Sequence, residues 1–116
     1  MAQAVWKAAF ISGLVAVAVL SLAPAGALPD PGISDKLSHL IAYGALTVLG
    51  RAAYPRPAWG RLVAGMVLYG ALLEGLQAFV PGRFMSGADL LANTLGVLLG
   101  FAGFALTRWV RGLAPW

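Results

Sequence analysis

The chain has 116 residues, 60% of them hydrophobic and 10% charged, with a formal net charge of +4 and no cysteine. Ordinary soluble domains carry about 25% charged residues, so eight basic and four acidic side chains cannot coat a water-soluble protein of this size and the apolar surplus must face lipid. The missing cysteine excludes disulfides, thiolate catalysis and thiolate metal sites; the basic excess sits in short segments between apolar runs and reads as membrane orientation, not as a nucleic-acid surface.

A spanning helix needs about 20 mostly apolar residues, because only a helix satisfies its own backbone polar groups in hydrocarbon. The first candidate runs from about Val5 to Ala23 and stops at Pro24. It has a rival reading: Lys7, an apolar run and Ala25-Gly26-Ala27 resemble a signal peptide with a small-residue cleavage site. The sequence begins at Met1, and a retained helix is the preferred reading. The linker at 25–32 holds two prolines and two glycines and cannot continue a helix. Ser34 or Asp35 is placed to cap the next one.

The second candidate runs from about Leu37 to Ala53, ahead of Tyr54-Pro55-Arg56-Pro57. The third runs from about Leu62 to Val80 and stops at Pro81-Gly82; the fourth runs from about Ala88 to Thr107. Proline just past a helix marks its end, since the preceding residue is pushed out of helical geometry. Counting Lys and Arg by segment gives orientation. Lys7, Arg51, Arg56, Arg61, Arg108 and Arg111 fall on one side, and only Lys36 and Arg83 on the other. The fold class is therefore an all-α integral membrane protein, a compact bundle of four transmembrane helices in a single domain with both termini cytoplasmic. Trp6, Trp59, Trp109 and Trp116 fall near the cytoplasmic boundary, where amphipathic rings anchor.

The remaining polar residues gather at the outer end. Asp35, Lys36 and His39 open the second helix; Glu74 and Gln77 lie in the outer part of the third; Arg83 and Ser86 lie in the outer loop; Asp89 and Asn93 open the fourth. With its helix ending at Val80, Glu74 would sit six residues, roughly 9 Å, below the helix end. Asp35 to His39, His39 to Tyr43 and Asp89 to Asn93 are four apart, and Glu74 to Gln77 three, so each pair shares one helix face. An ionisable group within a span costs on the order of 3 kcal/mol, so such groups face the bundle interior.

The bland alternative is that Lys36, Arg83 and His39 only pair with Asp35, Glu74 and Asp89 and pin the helices together. Tyr43 and Tyr69 read as packing, and Gln77 and Asn93 as hydrogen-bonding glue. Gly96, Gly100 and Gly103 read as a small-residue contact face. Asp35, His39, Glu74 and Asp89 offer oxygen and nitrogen metal ligands. No compact histidine pair supports a metal, and Lys36 and Arg83 compete for the carboxylates, so none is expected. No cofactor is implied: phosphate loops, dinucleotide fingerprints and a Gly-x-Ser-x-Gly elbow are absent.

Asp35-Lys36-x-x-His39-x-x-x-Tyr43, Glu74-x-x-Gln77 and Arg83-x-x-Ser86-x-x-Asp89-x-x-x-Asn93-x-x-Gly96 resemble the VanZ-like family of bacterial membrane proteins over about Asp35 to Gly103. The first helix carries no part of that pattern. The resemblance implies a bacterial cytoplasmic-membrane protein, and it carries a family association with glycopeptide-antibiotic resistance. Three functions remain open. The leading one is a polar pocket at the extracytoplasmic end that binds a lipid-linked or amphiphilic cell-envelope component through Asp35, Lys36, His39, Glu74, Gln77, Arg83, Ser86, Asp89 and Asn93. The second is an intramembrane enzyme acting on a lipid-linked substrate, with His39, Glu74 and Asp89 as acid/base candidates and Ser38 and Ser86 as weak nucleophiles. The third is a structural or chaperone-like subunit whose polar cluster only holds the helices. The partners implied are the lipid bilayer and such an amphiphile; oligomeric state is open.

Overall fold

In a computed structural model that describes residues 2–24, 35–55 and 59–114, four α-helices form an up-down-up-down bundle. They are α1 (Ala2–Leu22), α2 (Asp35–Ala53), α3 (Trp59–Gln77) and α4 (Gly87–Val110). The linker residues 25–34, with Ala25-Gly26-Ala27, Asp30 and the proposed cap Ser34, lie outside the described residues, as do Arg56, Pro57 and Trp116. By length and composition α1 and α4 are each able to cross a membrane. The 19 residues of α2 include Asp35, Lys36, His39 and Arg51, and those of α3 include Arg61, Glu74 and Gln77, which lowers their apolar content.

Helix ends differ from the sequence expectation for local reasons. α3 stops at Gln77, not Val80, because the chain tightens into short-range bonds: Ala78 N donates to Gly75 O, Phe79 N to Leu76 O and Val80 N to Gln77 O. Val80-Pro81-Gly82-Arg83 then turns sharply, with Arg83 N donating to Val80 O and Gly82 at φ 77°, where proline and glycine each take their favoured turn position. Glu74 thus lies three residues, about 4.5 Å, from its helix end, half the expected depth. α4 continues past Thr107 to Val110. Its stop is Gly112, at φ 76°, with Leu113 N donating to Arg108 O and Gly112 N to Trp109 O.

α2 and α4 run parallel and share the most extensive interface. Backbone-to-backbone approach makes this possible. A Cβ on Gly96 would collide with the carbonyl of Leu40, and one on Gly100 with the carbonyl of Gly44. The observed small-residue seam is Gly96 and Gly100 of α4 against Gly44 of α2. Gly103 is not part of it: it is exposed, with open space where a Cβ would stand, because a three-residue step from Gly100 rotates it off the seam.

The interior is mixed. Tyr43, Leu46, Met66 and Val97 form the apolar core, while Thr47, Arg51, Glu74, Gln77, Asp89 and Asn93 are also buried. The outward faces are apolar on all four helices, with Ile11, Val15 and Val19 on α1, Ile41 and Val48 on α2, Leu68 and Leu72 on α3, and Leu91, Leu99 and Leu106 on α4 all exposed. No residue of α1 is buried. It is clipped to the bundle by hydrogen bonds to its carbonyls: Tyr69 Oη to Leu14 O, Gln77 Nε2 to Ser21 O at 2.8 Å, and Arg83 to Leu20 O at 2.7 Å and, just past the helix, to Ala23 O at 3.0 Å. Leu20 and Ser21 are in the last turn, where carbonyls lack intrahelical partners.

Candidate functional site

The polar residues picked out by spacing converge at the end of the bundle where α1 and α3 finish and α2 and α4 begin. Packing α2 against α4 in parallel aligns their first turns, so the 35–39 and 89–93 pairs face each other. His39 Nδ1 lies 2.7 Å from Asn93 Oδ1. A carboxamide oxygen only accepts, so Nδ1 carries the proton and Nε2 is left for other work. Nε2 faces Asp35 Oδ2 at 3.6 Å, one helical turn back.

Lys36 reaches from α2 to α4 and places its ammonium 2.8 Å from Asp89 Oδ1. Asp89 is buried and Lys36 half-exposed. No hydrogen bond of good geometry reaches that buried oxygen, so the ion pair is what offsets its burial. Ser86 is the N-cap of α4, its hydroxyl accepting from Asp89 N at 3.2 Å. Its backbone N–H donates to Glu74 Oε2 at 2.7 Å, so Glu74 ties the 78–86 loop to α3. This weakens Ser86 as a nucleophile, since its side chain is committed to the helix start.

Arg83 departs from the carboxylate pairing of the helix-pinning alternative. Among the described residues it pairs with no carboxylate; its guanidinium is turned back onto the carbonyls of Leu20 in α1 and of Ala23 just past it. The negative end of a helix dipole and unpaired carbonyls attract a cation as a carboxylate does, and the Pro81-Gly82 turn aims it there.

These contacts divide the candidates into two layers. Asp35, His39, Gln77 and Arg83 line a cavity of about 310 Å³ between α1, α2 and α3, together with Ser21, Ser38, Tyr43 and the apolar Val17, Leu20 and Ala42. Lys36, Glu74, Ser86, Asp89 and Asn93 do not line it and act as the brace around it. Sequence reasoning missed the α1 wall, whose contribution is an apolar face and backbone carbonyls. Ser21, four residues from Val17 and near the helix end, was the one available signal. Tyr43, read as packing, is both core and cavity wall. Of the possible metal ligands, Asp35, His39 and Asp89 each bring a donor atom within 4.8 Å of the other two; Glu74 is not among them.

The Glu74 contact yields a direct expectation. Glu74→Ala strands the Ser86 N–H at a part-buried position and should cost about 1–3 kcal/mol. Glu74→Gln retains an acceptor oxygen and should keep most of that stability. Thermal unfolding of both variants in detergent checks this; equal losses would mean that the carboxylate charge, and not the acceptor, matters.

No curated protein and no solved structure matches the chain significantly. The family comparison does match, and it extends through α1, beyond the segment that carries the sequence pattern. The chain fits the model of the VanZ/LLP1 family over residues 3–108, nearly its whole length, and belongs to that family.

Proposed function

We propose that the protein is a multi-pass protein of the bacterial cytoplasmic membrane that holds an amphiphilic cell-envelope component, such as a lipid-linked molecule, in the cavity between α1, α2 and α3. The observation that carries this reading is the composition of that one cavity. Val17, Leu20 and Ala42 offer an apolar wall, while Asp35, His39, Gln77 and Arg83 gather polar groups at the helix ends. A molecule with a polar head and an apolar tail matches both. The four membrane crossings are supported by the outward apolar faces of all four helices around a partly polar interior. In lipid that arrangement satisfies both surfaces, since charged groups face the bundle and not the hydrocarbon. The distribution of Lys and Arg supports cytoplasmic termini and an extracytoplasmic cavity.

The test is ligand capture. The full chain is purified gently from its native membrane and its bound lipids are identified by mass spectrometry, beside His39→Ala and Ala42→Phe. Ala42→Phe fills the cavity and leaves every polar partner in place. A specific species retained by the wild type and lost in both folded variants is the expected result. Bulk phospholipid alone, identical in all three, would sink the binding reading and leave the polar cluster as a helix clamp.

A second reading is favoured by one geometric fact. With Nδ1 beside Asn93, His39 lines the cavity next to Asp35, whose carboxylate lies 3.6 Å from Nε2, so the two groups can exchange protons with a bound molecule. If the protein is an acid/base enzyme on a lipid-linked substrate, His39→Gln should retain the captured species and abolish its turnover.

A further inference from the structure

The opposite end of the bundle holds a charge that no described carboxylate neutralises. Arg51, in the last turn of α2, is 4% exposed, and its Nε is buried without a hydrogen-bond partner. The chain has four acidic side chains: Asp30, Asp35, Glu74 and Asp89. Asp35, Glu74 and Asp89 belong to the His39 end, and Asp30 lies in the linker between α1 and α2, outside the described residues. Among the described residues no ion pair reaches Arg51.

What surrounds it is aromatic and basic. The Arg51 guanidinium carbon lies 5.5 Å from the Trp59 ring centre and 5.3 Å from that of Phe104. Trp59 is fixed in turn by edge contacts to Phe101, at 4.5 Å between centroids, and to Phe104, at 5.9 Å. Ring faces attract a cation but accept no directed N–H bond in the guanidinium plane. Arg108 follows Phe104 by one turn on α4, in the last turn of that helix. Its Nε donates to Ala114 O at 2.6 Å, which holds it at the helix end. A buried guanidinium stacked on two rings, with a second basic side chain one turn beyond Phe104 and no described carboxylate paired to it, lacks an anion.

We propose that Arg51 and Arg108 form a phosphate site for the headgroup of an anionic membrane lipid. Guanidinium forks suit phosphate oxygens, and the aromatic walls keep the Arg51 fork in place. Basic niches among helices at a bilayer surface meet anionic headgroups there. This site is separate from the His39 cavity and takes from the membrane reading only the source of the ligand.

The experiment uses the full chain purified in a neutral detergent, with thermal unfolding as readout. Four proteins are compared: wild type, Arg51→Met, Arg108→Gln and, as a control cation at the same end, the exposed Arg61→Gln. Each is titrated with short-chain phosphatidylglycerol, phosphatidylcholine of the same chain length, and inorganic phosphate. The expected result is stabilisation of wild type and Arg61→Gln by phosphatidylglycerol, little by phosphatidylcholine, and a response roughly ten- to hundredfold weaker in apparent affinity for Arg51→Met and Arg108→Gln. Should Arg51→Met not fold, Arg108→Gln alone decides. Inorganic phosphate acting as strongly as phosphatidylglycerol would overturn the lipid as source. Equal responses to both lipids, or an Arg61→Gln loss equal to that of Arg108→Gln, would overturn the site itself.

Discussion

Gly96→Ala should be among the most damaging single-methyl additions in the chain, costing about 1–3 kcal/mol or more of stability. The reason is what the new Cβ would meet. At Gly96 it runs into the backbone carbonyl of Leu40, and a carbonyl held within α2 cannot swing aside as the end of a side chain can. The helices would have to separate, and separation is expensive because α2 on α4 is the largest contact in the bundle. In lipid, close approach through small residues is a main source of helix association, since apolar side chains gain little by leaving hydrocarbon for one another. The damage would reach the site as well. Leu40 follows His39 directly and Gly96 is three residues beyond Asn93, so a displaced seam pulls the 2.7 Å His39–Asn93 bond apart. Gly103→Ala is the matched control. Nothing lies within 4 Å of its new Cβ, and alanine is favoured over glycine in a helix by about 0.8–1.0 kcal/mol, so it should be neutral or mildly stabilising. Unfolding in detergent measures both; equal effects at 96 and 103 would refute the close-contact seam.

The Gly96–Gly100 contact was legible because four-residue spacing of the smallest side chain has one geometric use on a helix. Gly103 was misplaced because its three-residue step points elsewhere, which only the position of α2 reveals. The convergence of Asp35, His39, Asp89 and Asn93 was legible for a similar reason: four-residue spacings at the starts of two helices set the same face at the same level. The targets of individual side chains were not. Arg83 looked like a partner for a carboxylate, since sequence displays charged side chains but not the unpaired carbonyls at the end of α1. The end of α3 was hidden similarly: Pro81-Gly82 marks the turn itself, while the helix has already given way to three-residue bonds after Gln77. α1 carries no motif, yet it supplies the apolar side of the cavity and the anchor points for Tyr69, Gln77 and Arg83. Backbone acceptors and plain aliphatic walls leave no spacing to read.

Asn93→Ala should strip the captured amphiphile from the protein nearly as fully as His39→Ala, although Asn93 does not line the cavity. Asn93 is 2% exposed and its carboxamide oxygen is the partner of His39 Nδ1. Removing it leaves a part-buried ring N–H unpaired, at about 1–3 kcal/mol, and frees the imidazole to turn or to change tautomer. The ring then no longer presents Nε2 to Asp35 in one fixed form. The chain contains a single histidine, so nitrogen-15 labelling of that residue type gives an unambiguous readout. In the wild type, at a pH where the ring is neutral, the spectrum should show one tautomer with the proton on Nδ1; in Asn93→Ala it should show both. The double variant His39→Ala with Asn93→Ala should lose scarcely more ligand than either single one, because the two side chains act as one unit. A wild-type ring protonated on Nε2 would remove the geometric basis for His39 as a base. Additive losses in the double variant would mean that Asn93 acts on the ligand by a route of its own.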